Sequence, residues 1–153
     1  MSEKEPRLFR RILVASDGSD GALKAARWAA VLARSIGAEV TVLHVFTMPT
    51  AFAPIVGVGG QILDAASIAQ YAEEVQNAVA RRTGHVVEEE GVPYSTRLEI
   101  GHPAGTIVRI ADEEGFDLIV LGSRGLTELK SFMLGSVSDR VSHHAHCPVL
   151  IVK

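Results

Sequence analysis

Three glycines and a serine near the end of the chain have the spacing of a site that binds phosphate. Gly122 and Gly125 follow the apolar run 116–121, which is typical of a buried strand, and nine residues separate Gly125 from Gly135 and Ser136. Glycine lets backbone N–H groups approach a phosphate closely, and the start of a helix adds unpaired donors and the positive end of a dipole. The pattern therefore predicts a phosphate-bearing ligand, most simply a nucleotide, held largely by the backbone.

The same stretch allows a plainer interpretation, in which two ordinary turns lead into a helix cap. Ser136 and Ser138 could each donate a hydroxyl to a phosphate oxygen, but Ser136 would serve equally well as the helix N-cap. The ligand interpretation is favoured because phosphate sites follow a buried strand in this way. A Walker A loop is excluded by its missing Gly-Lys-Ser/Thr, and the glycines at 57–60 lack the adjoining strand and helix of a dinucleotide fingerprint.

Composition places the chain among folded proteins of one domain. Its 153 residues are enough for a sizeable core, and we expect a single nucleotide-binding domain over 1–153 with an N-terminal arm at 1–10. Hydrophobic residues make up 47% and charged residues 22%, which excludes a disordered chain. The formal net charge is −3, and the nearest approach to a basic run, in the arm, is interrupted by Glu5 and Pro6, so a general nucleic-acid binder is disfavoured.

Cysteine use and hydropathy predict a cytoplasmic protein. Cys147 is the only cysteine, so an internal disulfide is impossible and a reducing compartment is the simplest expectation. The N-terminus is charged and carries no apolar signal core. No run approaches the roughly 18 apolar residues of a membrane span, so we expect no membrane partner.

Apolar periodicity predicts alternating strands and helices. Strands are predicted at 11–16, 39–46, 94–100, 116–121 and 148–153, and helices at 22–35, from a cap at Asp64 or Ser67 to about 90, at 103–114 and at 136–144. This order predicts an α/β fold, an open parallel sheet with helices on both faces. Ligands of such sheets bind beyond the carboxyl ends of the strands, where Asp17 and Gly122 are expected. The Gly- and Pro-rich segment 47–60 is predicted to be a mobile connection of functional length.

Six segments match the pattern of a known family. They are 11–19, 42–45, 101–103, 117–125, 134–138 and 147–152. With them the chain resembles the universal stress protein family, in the branch that binds ATP, over nearly its whole length. The full spacing Gly-x2-Gly-x9-Gly-Ser at 122–136 is that branch's signature. The resemblance implies a Rossmann-like fold with a five-stranded parallel sheet of order 3-2-1-4-5, and a homodimer.

The resemblance also implies which residues bind the nucleotide, expected to be ATP with Mg²⁺ (or Mn²⁺) on its phosphates. The implied contacts are Ala15, Ser16 and Asp17 at the adenine and ribose end, Val45 in the adenine pocket, Leu121, Gly122, Arg124 and Gly125 beside the ribose and phosphates, and Gly135, Ser136, Val137 and Ser138 at the phosphates. Arg124 stands where other members vary. The chemistry of Asp17 agrees with its place at the adenine and ribose end, since a carboxylate accepts hydrogen bonds from ribose hydroxyls or an adenine amine but repels phosphates. Its plainer role is a turn former beside Gly18.

Two further segments contain residues that suggest other chemistry, and neither is favoured. Three histidines and a cysteine at 143–147 are potential zinc ligands, but Pro148 ends the helix among them and no second ligand pair exists elsewhere. Histidines that interact with the dipole at a helix C-terminus are the preferred interpretation. Gly101-His-Pro103 is similar to the histidine turn of nucleotidylyl transferases. It lacks a second histidine nearby, so we expect a strand-to-helix turn with Pro103 at the first helical position.

These features predict a dimeric, nucleotide-dependent stress sensor or regulator with an unidentified protein partner. The last strand, Pro148–Lys153, is apolar on both faces, so pairing with its twin across a two-fold axis would cover an aggregation-prone edge; the N-terminal arm is the alternative cover. Catalysis is not expected, because no nucleophile has a compelling base and Asp17 is wrongly placed for a γ-phosphate. A slow ATPase or phosphotransfer enzyme, a ligand-free interaction module, and AMP or a cyclic nucleotide as ligand stay open as alternatives.

Overall fold

The computed structural model describes residues 9–47, 64–125 and 134–153 of the chain. These residues form strands and helices in the alternating order that the sequence predicts. The elements are β1 Arg11–Ala15, α1 Asp20–Ile36, β2 Glu39–Phe46, α2 Ala65–Glu89, β3 Tyr94–Ile100, α3 Pro103–Glu113, β4 Leu118–Gly122, α4 Ser136–His144 and β5 Val149–Val152. Most of the predicted arm 1–10 and of the predicted connection 47–60 lies outside the described residues.

The strands form one sheet in the order β3-β2-β1-β4-β5, with every neighbouring pair parallel. This confirms the predicted α/β fold and the strand order 3-2-1-4-5. From β1 the chain moves outward through β2 to β3, and then returns to the other side of β1 for β4 and β5. The order therefore reverses at β1, and a crevice is expected beyond the carboxyl ends of β1 and β4.

Helices cover both faces of the sheet and divide the core in two. Val40 and Val42 of β2 pack with α1 and α2, whereas Leu43 packs with α3 and α4. This alternation follows from the period of two along a strand. The face of α1 toward the sheet consists of buried alanines, and these small side chains let the helix lie close to the sheet. The central strands are covered on both faces and are accordingly apolar over residues 12–15 of β1 and 118–121 of β4.

Side chains at the helix ends explain where the helices start and stop. Ser19 is the N-cap of α1, and its hydroxyl accepts the N–H of Ala22 at 3.2 Å. Gly37 ends that helix with a positive φ of 70°, a conformation that favours glycine. Asp64 caps α2, and the N–H of Ser67, donated to its carboxylate at 2.8 Å, holds the pKa of Asp64 below its ordinary value.

Several predicted boundaries differ from the structure by one or two residues. β4 begins at Leu118 rather than 116, and the N–H of Phe116 instead donates to the oxygen of Ala111 in α3 at 2.9 Å. The carboxylate of Asp117 accepts the N–H groups of Arg10 and Arg11, at 2.8 and 2.9 Å, and so holds the start of β1. α1 begins at Asp20 rather than 22, and β5 is one residue shorter at each end. None of the helices within the described ranges is both long enough and apolar enough to cross a membrane.

Candidate functional site

A cavity of about 420 Å³ lies at the carboxyl ends of β1, β2 and β4, where the strand order reverses. Its volume falls within the range of small-molecule sites. The twelve residues that the sequence analysis assigns to a nucleotide all line it: Ala15, Ser16, Asp17, Val45, Leu121, Gly122, Arg124, Gly125, Gly135, Ser136, Val137 and Ser138. Segments far apart in sequence thus meet in one crevice.

Gly122, the last residue of β4, lies against the start of α1. A Cβ atom at this position would lie 2.9 Å from the carbonyl carbon of Gly21 and 3.0 Å from its oxygen. Side chains do not tolerate such distances, so a residue without a Cβ lets the strand and the helix meet backbone to backbone. The segment that follows β4 is thereby brought against the turn that follows β1.

The carboxylate of Asp17 lies between these two segments. Its Oδ1 accepts the N–H of Ser19 at 3.0 Å, which closes the turn after β1. The expected plainer role of Asp17 as a turn former is therefore present, and Gly18, with a φ of 80°, completes that turn. The other oxygen, Oδ2, would lie only 2.5 Å from a Cβ atom at Gly125. Glycine at 125 leaves the space that the carboxylate occupies.

The amino end of α4 forms another part of the cavity wall. Gly135 is the N-cap, so Ser136 is the first helical residue, as predicted, and the alternative in which Ser136 caps the helix is wrong. Gly135 carries no side chain that could cap the helix. The first turn of α4 lines the cavity, so its N–H groups and the positive end of the helix dipole lie beside it.

Ser138 fixes the position of this helix start. Its hydroxyl donates to the carbonyl oxygen of Ser123, 2.9 Å away, and lies 3.1 Å from the oxygen of Gly135. The N–H of Gly135 donates to the same Ser123 oxygen at 2.7 Å. Ser138 is 2% exposed. Its hydroxyl therefore ties α4 to the end of β4 and is not the phosphate donor that the sequence suggests; its backbone still lines the cavity.

The hydroxyl of Ser16 is likewise engaged within the protein. Thr83 of α2 donates its single hydroxyl hydrogen to the oxygen of Val79 at 2.8 Å, so it must accept from Ser16, 2.7 Å away. Ser16 in turn accepts the N–H of Gly18 at 3.2 Å. This directional chain ties the end of β1 to α2. The N–H of Ser16 is also engaged, donating to the oxygen of Leu43 at 2.9 Å, and its carbonyl oxygen lies 2.7 Å from the Nδ1 atom of His44.

Sequence reasoning missed one wall of the cavity and a buried histidine. The further lining residues are Ala22, Leu43, His44, Phe46, Thr47, Val75, Val79, Pro103 and Ile107. Val75 and Val79 come from α2, and helical spacing marks them as buried without indicating which part of the sheet α2 covers. His44 donates its Nδ1–H to the carbonyl oxygen of Ser16 at 2.7 Å. The sequence signal that could have identified His44 as a lining residue is a histidine at the carboxyl end of an apolar strand.

The histidines of 143–147 point to different partners. The Nδ1 atom of His143 lies 2.8 Å from the carbonyl oxygen of Asp139 on its own helix, and that of His146 lies 2.7 Å from the carboxylate of Asp112 on α3. Burial raises the pKa of the Cys147 thiol, with Asp112 adding to the effect. Over the part of the chain that the structure describes, no group of three or more potential metal ligands is assembled.

The segment Gly101-His-Pro103 forms the predicted strand-to-helix turn. His102 is the N-cap of α3, and Pro103 is the first residue of the helix. Pro103 lines the cavity, whereas His102 lines an adjoining groove between α3 and α4.

The cavity as a whole presents two kinds of chemistry to a ligand. Backbone amides at the start of α4 suit an anion, and a carboxylate with apolar walls suits a flat group that carries hydroxyls or amines.

Comparison with known proteins agrees with this architecture. The sequence model that describes the universal stress protein family matches residues 8–153 of this chain. A universal stress protein of Methanocaldococcus jannaschii is 38% identical over 95% of this chain and 83% of its own length, and one of Bacillus subtilis is 38% identical over 95% and 100%.

Two solved structures extend the comparison to ligands. A universal stress protein in complex with cAMP superimposes with a TM-score of 0.70 at 25% identity, over 95% of this chain and 97% of its own. One from Archaeoglobus fulgidus in complex with dAMP gives 0.64 at 28% identity, over 96% and 100%. The fold, the match over 8–153 and these relatives together show that the chain belongs to the universal stress protein family.

Proposed function

We propose that this protein binds an adenine nucleotide, ATP in the first place, in the cavity at the carboxyl ends of β1, β2 and β4. The observation that carries the proposal is the meeting of all twelve assigned residues in that one cavity. Related structures that hold cAMP and dAMP support an adenine nucleotide as the class of ligand.

The orientation of the ligand follows from the charges at the two ends of the cavity. The phosphates lie at the first turn of α4, where backbone N–H groups and the helix dipole favour an anion. The ribose lies beside Asp17, whose carboxylate accepts hydrogen bonds from hydroxyls. The base lies beyond it, against Val45 of β2. The reverse orientation would place phosphates against a carboxylate, which costs electrostatic energy at short range.

Mg²⁺ on the phosphates would complete the ligand without a protein metal site. Mg²⁺ usually keeps several waters and is bound through substrate phosphates with one or two carboxylates, rather than by a cage of protein side chains. This fits the described part of the chain, in which no cluster of three acidic, histidine or cysteine residues is assembled. In that arrangement the ion neutralises phosphate charge, while α4 and the segment after β4 orient the phosphates.

The role that follows is a dimeric sensor or regulator rather than a metabolic enzyme. Among the described residues that line the cavity, Asp17 is the single carboxylate, and the orientation proposed above assigns it to the ribose. Hydrolysis would require a group that orients water at the γ-phosphate. Phosphate release by the wild type above that of a Gly135→Asp variant would instead favour the slow ATPase.

A monophosphate is the second candidate ligand, because the complexes with cAMP and dAMP carry one phosphate each. Thermal-shift titration of nucleotide-free protein with ATP, ADP, AMP and cAMP, with and without Mg²⁺, tests both candidates. A ligand at about 100 times its Kd adds about 2.7 kcal/mol, a shift of roughly 5–10 °C for a domain of this size. A shift that grows with phosphate number supports ATP, an equal shift supports the monophosphate, and no shift with any of them supports the ligand-free interaction module.

A further inference from the structure

His44 is a buried histidine whose two ring nitrogens have different surroundings. The residue is 7% exposed and lies at the carboxyl end of β2. Its Nδ1 lies 2.7 Å from the carbonyl oxygen of Ser16. Because a carbonyl oxygen only accepts, Nδ1 must carry the hydrogen. In the neutral imidazole the other nitrogen, Nε2, is then an acceptor with its lone pair directed away from Ser16.

The Nε2 atom of His44 opens onto the cavity. No hydrogen bond to it is found from residues 9–47, 64–125 or 134–153. Every fully enclosed side-chain nitrogen and oxygen in those ranges has a partner, so Nε2 must be reached by solvent. His44 lines the cavity, which supplies that access. Nε2 is therefore an acceptor that water satisfies in the absence of ligand, and a ligand that donates to it takes the place of that water.

The place of His44 in the sheet indicates which part of a ligand it meets. The phosphate end of the cavity belongs to β4 and α4, Asp17 follows β1, and His44 belongs to β2 on the far side of β1. Neighbouring strands lie about 4.8 Å apart, so His44 is roughly two strand spacings from the phosphate end. Val75 and Val79 of α2 line the same cavity and offer apolar surface to a flat ring.

We propose that the Nε2 atom of His44 accepts a hydrogen bond from the exocyclic amine of the bound purine and so selects adenine. This inference rests on the proposed function. Purines that carry an oxygen in place of the amine would set one acceptor against another, and in the complex Nε2 would lose the hydrogen bond that water gave it. A neutral hydrogen bond is worth about 0.5–1.5 kcal/mol, so the amine should improve affinity by roughly three- to tenfold.

A substitution at position 44 and a change in the ligand together isolate this hydrogen bond. In His44→Asn the side-chain amide retains a donor for the oxygen of Ser16 but has nothing at the place of Nε2. The ligands are ATP, purine riboside triphosphate and 2′-deoxy-ATP. Purine riboside triphosphate lacks only the exocyclic amine of ATP, and 2′-deoxy-ATP lacks only its 2′-hydroxyl. Calorimetric Kd values for each, on wild type and variant, form a double-mutant cycle. His143→Asn, at a histidine that does not line the cavity, is the matched control.

The expected result is a preference of the wild type and the control for ATP over purine riboside triphosphate by roughly three- to tenfold, reduced to less than about twofold in His44→Asn. An unchanged preference in His44→Asn overturns the proposal. So does a coupling of His44 with the 2′-hydroxyl instead of the amine. Failure of the wild type to bind any of the three ligands refutes the proposed function itself, which distinguishes the two failures.

Nuclear magnetic resonance tests the wild-type protein even if His44→Asn does not fold. With ¹⁵N-histidine in the chain, the Nε2 resonance of His44 should move on binding of ATP and stay near its ligand-free position with purine riboside triphosphate. Equal movement with both ligands, or none with ATP at saturation, contradicts the hydrogen bond to the amine.

Discussion

Asp17 and Gly125 are matched in size where the turn after β1 meets the segment after β4. The carboxylate lies where it would be 2.5 Å from a Cβ at position 125, while its other oxygen is held by the N–H of Ser19. The side chain that is expected to meet the ribose is thus positioned from one side by a turn and from the other by an absent side chain. Its orientation depends on both.

We expect Gly125→Ala to weaken binding of adenine nucleotides with little effect on the fold. The added methyl group must displace the carboxylate of Asp17, because the end of a side chain moves more readily than backbone. Loss of the hydrogen bonds that the ribose hydroxyls donate to this charged carboxylate costs about 1.5–3 kcal/mol, or roughly ten- to a hundredfold in Kd. Calorimetry with ATP measures this effect. If Gly125→Ala binds ATP as tightly as the wild type does, Asp17 does not contact the ligand.

At the scale of residues, the sequence predicted the site correctly where a residue type has few structural roles, as glycine after a buried strand does. Glycines after a buried strand indicated the segment at 122–125, and these residues line the cavity. It failed for Ser138, whose hydroxyl donates to the oxygen of Ser123. Nothing in the spacing of Ser138 distinguishes a phosphate donor from a residue that anchors a helix, because the carbonyl it meets is 15 residues away in sequence.

At the scale of elements, α2 depends on a glycine for its approach to the sheet. Gly84 lies within the helix, and a Cβ there would be 2.2 Å from the ring of Tyr94 in β3. Glycine normally weakens a helix interior by about 1 kcal/mol relative to alanine. The close contact with Tyr94 explains why it stands here. α2 also supplies Val75 and Val79 to the cavity wall.

Gly84→Ala is expected to lower the free energy of unfolding by about 1–3 kcal/mol, because overpacking against the Tyr94 ring outweighs the better helix propensity. Gly105→Ala in α3 is the matched control, since nothing lies within 4 Å of its Cβ position. That variant should gain up to about 1 kcal/mol from helix propensity alone. Urea denaturation measures both values. Stabilisation by both substitutions to the same extent would contradict the packing of α2 on Tyr94.

Element order could be predicted because apolar periodicity and capping residues are local signals, whereas the strand order followed from the resemblance to the family. Ser19, Asp64 and Gly37 act within four residues of their positions. The wall formed by α2 could not be predicted in this way. Its position over the sheet is set by contacts between residues far apart in sequence, such as that of Gly84 with Tyr94 and that of Thr83 with Ser16.

For the whole molecule, the two edges of the sheet differ in charge. On β3, Arg97 forms ion pairs with Glu99 at 3.0 Å and with Glu114 at 2.9 Å. Charged side chains on an edge strand oppose pairing with another strand. On β5, by contrast, Val149, Leu150 and Ile151 are half-buried and apolar. This asymmetry favours β5 as the edge for the homodimer that we propose.

We therefore expect Ile151→Lys to halve the molecular mass in solution, because a lysine from each copy would meet at the two-fold axis. Thr96→Lys places the same charge on the exposed β3 edge and should leave the mass unchanged. Light scattering coupled to size exclusion gives the mass of each. A monomeric wild type, or a dimer that survives Ile151→Lys, would argue against β5 as the interface.

The central claim is that the start of α4 holds phosphate, and substitution of its N-cap tests this most directly. Aspartate is a favourable N-cap, and Gly135 has an ordinary φ of −61°, so Gly135→Asp should fold at least as stably as the wild type. Its carboxylate would nevertheless repel a phosphate at that position. Gly135→Asn adds a side chain of the same shape without the charge.

The measurement is the Kd of ATP, by calorimetry, for the wild type, Gly135→Asn and Gly135→Asp. We predict a loss of at least about tenfold for Gly135→Asp beyond any loss for Gly135→Asn, which corresponds to about 1.4 kcal/mol of repulsion. Equal affinity of the two variants for ATP, with both folded, would contradict the claim that the phosphates lie at the start of α4.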